Sequence, residues 1–252
     1  MTNMLIIPDT QAKPGDDLLH IEALNKYILD KRPDCIVQLG DLWDFPSLSS
    51  WDKGKKAAEN KRVSEDWEIG CELVAVLMDG WEEADYFPRL VYVKGNHENR
   101  VDRYMESNPE IDMLPDCLAF MEDMGWEAHE FLEPTEVNGI TFCHFFPKSS
   151  KGTVTAASSR NGAASAMAQL RNNMTTCIAG HRQGYDSAIY ALTDKRLRSE
   201  IVGSFYTHDE AYMGPHGNDY WRGVLWLNRV DGLGDYDKTE VSLGYLMERY
   251  GR

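Results

Sequence analysis

Five short polar motifs recur along the chain, and each one directly follows an apolar run. They are Asp9-Thr10-Gln11, Gly40-Asp41-Leu42-Trp43-Asp44, Gly95-Asn96-His97-Glu98, the single His144, and Gly180-His181-Arg182-Gln183. Carboxylate and imidazole groups bind divalent cations and transfer protons, and amide oxygens also bind cations. Each motif alone is common in proteins, but five of them in this order predict a functional site built from residues of metal-ligand or catalytic type.

The apolar runs before these motifs predict the strands that position them, at residues 4–7, 35–39, 89–94, 140–144 and 176–179. Residues 21–28 carry apolar side chains at helical spacing, which indicates a β–α–β order at the start. Strands this apolar are typical of parallel sheets covered by helices. Because ligands of α/β proteins bind where such strands end, the motifs are expected to converge there. Gly40, Gly95 and Gly180 would let the backbone approach a ligand closely.

The remaining patterns predict further elements of the same mixed class. A long polar loop at residues 46–61 precedes a helix with Trp67, Cys71, Val74 and Met78 on one face. Another helix is expected at residues 113–124, and Asn138-Gly139 predicts a turn before the fourth strand. Strand-like runs follow at residues 188–192, 197–202, 224–230 and 241–246. Without an internal repeat or a long linker, residues 1–252 are expected to form a single α/β domain with two sheets.

The order of the motifs resembles the calcineurin-like metallophosphoesterases, whose pattern is Asp-x-His, Gly-Asp-x-x-Asp, Gly-Asn-His-Asp/Glu, a strand-end His and Gly-His-x-His. The resemblance runs from Asp9 to Gln183, and the tail is expected to supply the closing strands of the second sheet. It implies an α/β fold in which a two-sheet β-sandwich is flanked by helices in four layers. It also implies hydrolysis of phosphoesters by a water that two metal ions activate. The Asp-Thr-Gln opening resembles bacteriophage members.

Carried over by position, the resemblance assigns a role to each motif residue. The metal ligands would be Asp9, Gln11, Asp41, Asn96, His144, His181 and Gln183, with Asp41 bridging the two ions. His97 would stay unligated, stabilise the developing charge and protonate the leaving oxygen, and Asp44 would orient it. Arg100 and Arg182 are candidate phosphate contacts, because a guanidinium matches phosphate geometry.

Departures from the family pattern change the expected chemistry. Gln11 and Gln183 stand where histidines are expected, so Asp9, Asp41 and two amide oxygens would hold the first metal. Such oxygen-rich sites suit Mn²⁺ or Mg²⁺. We therefore expect two divalent ions, Mn²⁺ foremost with Mg²⁺, Zn²⁺, Fe or Ni²⁺ as other candidates, and a weakly held first ion. Phe45 stands where monoesterases often carry an arginine, which favours a phosphodiester substrate.

The charge is uneven along the chain, although 26 Lys and Arg against 41 Asp and Glu give a net charge of −15. That excess argues against a general nucleic-acid binder, because basic side chains supply most non-specific affinity for phosphates. Basic residues nevertheless cluster at 53–62 and at 145–185. These clusters are either ordinary solvated surface or patches that attract a polyanionic substrate. A later segment holds Tyr206, His208, Tyr212, His216, Tyr220 and Trp221. His208 is a candidate substrate contact, and the aromatic residues either stack on a nucleobase or pack in the core.

The five cysteines form no C-x-x-C pair, and several lie in apolar runs, which favours free thiols in a reducing compartment. No apolar run approaches the roughly 18–20 residues that cross a bilayer. The first residues lack the pattern of a secretory signal. We therefore expect a cytoplasmic protein without a membrane partner, in the host cytoplasm if the chain is viral.

Three functions remain open from the sequence. The first is a phosphodiesterase or nuclease that acts on nucleic acid or nucleotides. The second is a phosphomonoesterase of nucleotides or phosphoproteins, and the third is a non-catalytic member that keeps one metal and binds a partner. The two glutamines favour the third function, whereas the retained carboxylate, asparagine and histidine residues speak against it. The sequence leaves the oligomeric state open.

Overall fold

The computed structural model describes residues 1–111, 113–146, 165–193, 195–209 and 220–251. Its helices are α1 (Leu19–Lys31), α2 (Val63–Met78), α3 (Asn99–Ser107), α4 (Cys117–Asp123), α5 (Ala166–Asn173) and α6 (Leu243–Tyr250). Its strands are β1 (Thr2–Ile7), β2 (Cys35–Gln38), β3 (Arg89–Val93), β4 (Glu127–His129), β5 (Thr135–Val137), β6 (Ile140–Phe142), β7 (Cys177–Ala179), β8 (Asp186–Ala191), β9 (Arg196–Ile201), β10 (Gly223–Val230) and β11 (Asp237–Ser242).

The strands form two mixed sheets. The first has the order β11-β10-β1-β2-β3-β4, with β1 to β4 parallel, β10 antiparallel to β1, and β11 antiparallel to β10. The second has the order β5-β6-β7-β9-β8, with β6, β7 and β9 parallel and both outer strands antiparallel. The expected α/β class with two sheets is therefore confirmed.

The central strands are apolar on both faces because each face packs into a different core. Along β1, Leu5 and Ile7 belong to the core shared with helices α1, α2 and α6, whereas Met4 and Ile6 belong to the core between the two sheets. This split follows from the strand period of two residues. Burying one such side chain contributes about 1.5–3 kcal/mol. The residues of α5 pack on the outer side of β8 and β9, so four layers result, as expected.

The predicted strand at residues 241–246 is wrong. Strand β11 ends at Ser242, whose Oγ accepts a hydrogen bond from the Tyr245 N–H and so caps α6. Leu243 and Leu246, three residues apart, bury the inner face of that helix. The tail also departs from expectation, because β10 and β11 join the first sheet beside β1, and only β8 and β9 extend the second.

The helices that flank the site differ in part from the predicted ones. Helix α3 was not predicted. The helix expected at 113–124 is shorter in the structure, where α4 begins at Cys117. The Asp116 side chain caps it by accepting hydrogen bonds from two backbone N–H groups. On α2, Val74 is buried, and Trp67, Cys71 and Met78 are half-buried against the same core, as expected. The Trp67 ring stacks on the Trp43 ring with centroids 5.3 Å apart. Asn138 and Gly139 form the predicted turn between β5 and β6, both with positive φ. Within the described residues no helix is both long and apolar enough for a membrane span.

Candidate metal centre

The strand-end motifs converge where the two sheets meet. Asp9, Asp41 and Asn96 follow the parallel strands β1, β2 and β3, and His144 and His181 follow β6 and β7. Hydrogen bonds join the sheets there. The His181 N–H donates to Asp9 Oδ1 (3.0 Å), and His144 Nδ1 lies 2.7 Å from the Leu39 carbonyl oxygen. The convergence expected from the sequence is therefore present.

Asp41, His144 and His181 form a possible metal-binding group. Each offers one ligand atom, and these atoms all lie within 4.8 Å of one another. The backbone of Asp41 and of His181 has positive φ, 50° and 67°. Non-glycine residues adopt this conformation at a cost, and it often occurs at functional sites. The two turns thereby aim the side chains at a common point.

The ring of His144 is surrounded by oxygen atoms. Since Nδ1 donates to the Leu39 carbonyl, Nε2 faces Asn96 Oδ1 at 2.9 Å and Asp41 Oδ2 at 3.3 Å. Burial opposes a charged ring, but the Asp41 carboxylate outweighs it and raises the pKa of His144 to about 9. Two acceptor oxygens directed at one nitrogen create a place suited to a cation. A bound metal ion would take the position of the Nε2 proton.

The environment of Asp9 also suits a cation. Its Oδ2 is buried and has no hydrogen-bond partner among the residues that the structure describes. Burial and the nearby Asp41 charge raise the pKa of Asp9 to about 7. For Asp41 itself burial acts in the same direction, but the charges of His144 and His97 outweigh it and lower its pKa. An orphaned carboxylate oxygen is costly unless an ion binds it, so the residues fit a divalent metal.

Glu98 holds the Asp41 loop against the Gly95 loop. Its wholly buried carboxylate accepts hydrogen bonds from the backbone N–H groups of Asp41 (3.0 Å), Leu42 (2.6 Å), Trp43 (3.0 Å) and Gly95 (2.9 Å). The sequence patterns assign no role to Glu98. Its place at the end of the Gly-Asn-His-Glu motif is the only signal that could have indicated one.

At two positions beside the site only glycine leaves room for a carboxylate. A Cβ atom on Gly95 would collide with Asp41 Oδ1, and one on Gly180 would lie 2.6 Å from Asp9 Oδ1. Both separations are far below van der Waals contact. The approach of the backbone to a bound ligand stays a prediction, and the groups that approach Gly95 and Gly180 are the carboxylates of Asp41 and Asp9.

His97 lies beside the metal-binding group. Its Nδ1 is 2.6 Å from Asp44 Oδ1, and its Nε2 is 3.7 Å from Asp41 Oδ2. Arg100 Nη1 donates to the carbonyl oxygens of Asp44 (2.6 Å) and Phe45 (3.3 Å), and its Nη2 is 2.9 Å from His97 Nε2. The Asp44 carboxylate is largely buried. Burial alone would raise its pKa, but the hydrogen bond and the charge of His97 lower it overall.

The two glutamines are buried, and contacts hold them in place. The Gln11 N–H donates to the Asp41 carbonyl oxygen (2.8 Å). Gln183 Oε1 accepts a hydrogen bond from the Tyr206 hydroxyl (2.9 Å). Tyr206 is wholly buried and stacks on the His208 ring with centroids 4.3 Å apart, so it packs in the core and offers no platform for a base.

The other candidate contacts are more peripheral. His208 Nδ1 lies 3.8 Å from Asp16 Oδ1, with the Tyr206 ring against its face. Arg182 is exposed next to His181, and Trp221 packs against Tyr185 with ring centroids 5.1 Å apart. Tyr212, His216 and the basic residues Lys148, Lys151 and Arg160 lie outside the described residues. The five cysteines are free thiols, as expected.

Comparisons with known proteins give distant relatives. No protein-family model matches the chain. It is similar to the Gene 54 protein of Mycobacterium phage D29, 27% identical over 242 residues, and to the Gene 54 protein of Mycobacterium phage L5, 28% identical over 246 residues. Each match covers 91% of this chain and 89% of the relative.

Two solved structures have a lower sequence identity to the chain than the phage proteins. A conserved uncharacterized protein and predicted phosphoesterase from Streptococcus pneumoniae is 12% identical, with 95% of this chain and 97% of that one covered. The protein TT1561 of Thermus thermophilus is 11% identical, with 95% and 98% covered. Both have a TM-score of 0.35, which is too low to support a conclusion about this chain.

Proposed function

We propose that the chain is a metal-dependent phosphoester hydrolase of the calcineurin-like type. The observation that carries this proposal is that the ligand atoms of Asp41, His144 and His181 lie within 4.8 Å of one another. Asn96 Oδ1 reaches His144 Nε2 at 2.9 Å, and Asp9 Oδ1 accepts from the His181 N–H, so residues from five strand ends meet at this place. The orphaned Asp9 Oδ2 supports it, since it marks a place for a cation beside Asp41. Metal ions bound there would supply a nucleophile at neutral pH and neutralise charge on the phosphate.

The ligands divide into two groups around Asp41. His144, His181 and Asn96 would hold one ion together with Asp41. Asp9 would hold the other, with the amide oxygens of Gln11 and Gln183. The Tyr206 hydroxyl donates to Gln183 Oε1 and would orient this amide, and the second lone pair of the same oxygen would remain for an ion. An ion held mainly by oxygen atoms is expected to be Mn²⁺ or Mg²⁺ and to exchange easily.

His97 would donate a proton to the leaving oxygen. Burial and Arg100 oppose its protonation, but the charges of Asp41 and Asp44 outweigh them and raise the pKa of His97. Its Nδ1 is bound to Asp44, so Nε2 is the atom that faces the site. Arg100 Nη2 lies 2.9 Å from His97 Nε2, a contact that is a hydrogen bond only when Nε2 is the acceptor. A phosphate oxygen bound between the two groups would accept from Arg100 and, once His97 is protonated, from Nε2.

A phosphodiester is the proposed substrate type. The Phe45 side chain is wholly buried and stacks on Trp43, so this position gives the site no cation. Arg100 and the exposed Arg182 remain as cationic contacts for phosphate. A diester carries one negative charge fewer than a monoester dianion and needs fewer such contacts.

The test compares bis(p-nitrophenyl) phosphate with p-nitrophenyl phosphate after chelation and re-addition of Mn²⁺, Mg²⁺, Zn²⁺ or Ni²⁺. We expect metal-dependent turnover of the bis ester that Asp41→Asn abolishes and the exposed control Asp123→Asn leaves intact. Faster turnover of the monoester would support a phosphomonoesterase. No turnover with any metal, together with one tightly bound ion, would contradict a hydrolase.

A further inference from the structure

Residues 51–62, the basic loop, carry a charge opposite to that of the molecule. The loop has five basic and two acidic side chains, in a chain whose net charge is −15. Lys61 pairs with Asp52 at 3.0 Å. Lys53, Lys55 and Lys56 are exposed, and none of them forms an ion pair with another described residue. A positive patch on an acidic surface attracts a polyanion to that patch.

The basic loop begins with an exposed aromatic side chain. Trp51 is 60% exposed, although large aromatic residues are usually highly buried. Bases of single-stranded nucleic acid stack on exposed aromatic rings, and neighbouring lysines neutralise the phosphates between them. Bases in a duplex already stack on one another, and an acidic peptide has no bases. The pairing of Trp51 with lysines therefore favours a single strand.

The backbone of the basic loop is held in a series of turns. The N–H groups of Asp52, Lys55 and Ala58 donate to the carbonyl oxygens of Ser49, Asp52 and Lys55, at 3.2, 2.8 and 3.0 Å. At the entrance to the loop, the Ser47 N–H donates to Asp66 Oδ2 (2.9 Å). A preformed surface loses less conformational entropy when a ligand binds.

The basic loop starts close to the metal centre. The Phe45 carbonyl oxygen accepts from Arg100, which contacts His97. Trp51 follows Phe45 by six residues, and an extended chain spans at most about 3.6 Å per residue. The two α-carbons are therefore within about 22 Å of each other. A strand stacked on Trp51 would have neighbouring phosphates within reach of the metal centre.

We propose that the basic loop is a docking surface for single-stranded nucleic acid, with Trp51 stacking on a base and Lys53, Lys55 and Lys56 contacting phosphates. The inference deepens the proposed function and rests on it for the reaction, because it names the substrate class of the same site. The binding itself requires no metal.

The test is fluorescence anisotropy of a fluorescein-labelled oligothymidylate in chelator, where no hydrolysis occurs. Trp51→Ala is expected to weaken binding about tenfold. The triple variant Lys53→Glu, Lys55→Glu, Lys56→Glu should bind more weakly, with a slope of log affinity against log salt shallower by about 2, at about 0.7 for each lost phosphate contact. The matched control Lys31→Glu, Lys195→Glu, Arg249→Glu changes three exposed charges elsewhere by the same amount and should keep the slope.

The outcomes separate this inference from the proposed function. Loop variants that bind like the wild type, a control triple that loses as much affinity, or tighter binding of a duplex would overturn the docking surface. Hydrolysis of bis(p-nitrophenyl) phosphate by the loop variants should stay within about twofold of wild type. A chain that binds the oligonucleotide at the loop but hydrolyses no ester would retain the docking surface and refute the hydrolase.

Discussion

His97 and Asp44 form the pair at which a proton would move. The 2.6 Å contact between Nδ1 and Asp44 Oδ1 fixes the ring, and Arg100 holds the Asp44 backbone from the other side. Lys13 Nζ lies 3.6 Å from Asp44 Oδ2, a contact that the sequence patterns do not indicate. None of these side chains belongs to the metal-binding group, so the chemistry of this pair can be tested separately from metal content.

Replacing His97 with Ala should lower kcat for the bis ester by about 10²–10⁴, because general acid catalysis contributes this much. Metal content should not change, since His97 holds no ion in this assignment. The measurements are steady-state kinetics and elemental analysis of the same preparation. His129→Ala, on β4 away from the site, is the control. Loss of metal in the His97 variant would show that the residue is a ligand.

Tyr206 positions Gln183 through its hydroxyl. In Tyr206→Phe the amide can rotate, and we expect the affinity for one of two Mn²⁺ ions to fall about 10–100-fold, as is typical when an outer hydrogen bond to a ligand is lost. Titration calorimetry should show one weakened and one unchanged site. Tyr27→Phe, which alters a buried tyrosine in another part of the core, should leave both sites unchanged. Equal weakening of both ions would contradict this division of ligands.

At the scale of elements, the site depends on loops that follow parallel strands. The loops after β2 and β3 carry Asp41 and Asn96, and the main link between them is the Glu98 carboxylate. Helix α3 starts one residue later, so it anchors this carboxylate. The strands position the ligands approximately, and Glu98 brings the two loops together.

Glu98→Gln should therefore lower the free energy of unfolding by about 3 kcal/mol, since a buried charged acceptor is replaced by a group with one oxygen. The affinity for the metal bound by Asp41 should fall with it, because the Asp41 N–H loses its acceptor. Urea unfolding and metal titration measure the two effects. The exposed Glu122→Gln in α4 is the control. Unchanged stability and metal affinity would mean that other contacts hold the loops.

At the scale of the whole molecule, stability should respond to pH through a buried histidine outside the site. His20 is 2% exposed at the start of α1, with its ring 5.7 Å from the Phe205 ring. Neither ring nitrogen has a hydrogen-bond partner among the described residues. Burial lowers the pKa of His20 to about 4, although Asp17 opposes this shift.

Between pH 6.5 and 4 the unfolded chain binds a proton at His20 and the folded chain does not, so the free energy of unfolding falls as the pH falls. The loss from this residue by pH 4 is about 3 kcal/mol, at about 1.36 kcal/mol for each unit of pKa shift. His20→Leu should show a shallower decline of the free energy of unfolding over this pH range than the wild type, measured by urea unfolding. Parallel profiles for His20→Leu and wild type would refute the prediction.

The sequence by itself determined the α/β class, the strands before each motif and the close-approach glycines. These features depend on local patterns: strand periodicity, apolar runs and residues that leave a strand sharply. The strand predicted at residues 241–246 is wrong because a short apolar run has no clear period. The Ser242 cap and the burial of Leu246, which depend on the tertiary structure, stabilise a helix there instead.

Only the tertiary structure decided which side chains support the ligands. Glu98 binds backbone groups 55 to 57 residues away, His144 contacts Leu39 across 105 residues, and His181 contacts Asp9 across 172. The Tyr206–Gln183 hydrogen bond likewise joins separate elements. Such contacts leave no periodic signal in the sequence, because they depend on how the two sheets pack and on the turns that follow their strands.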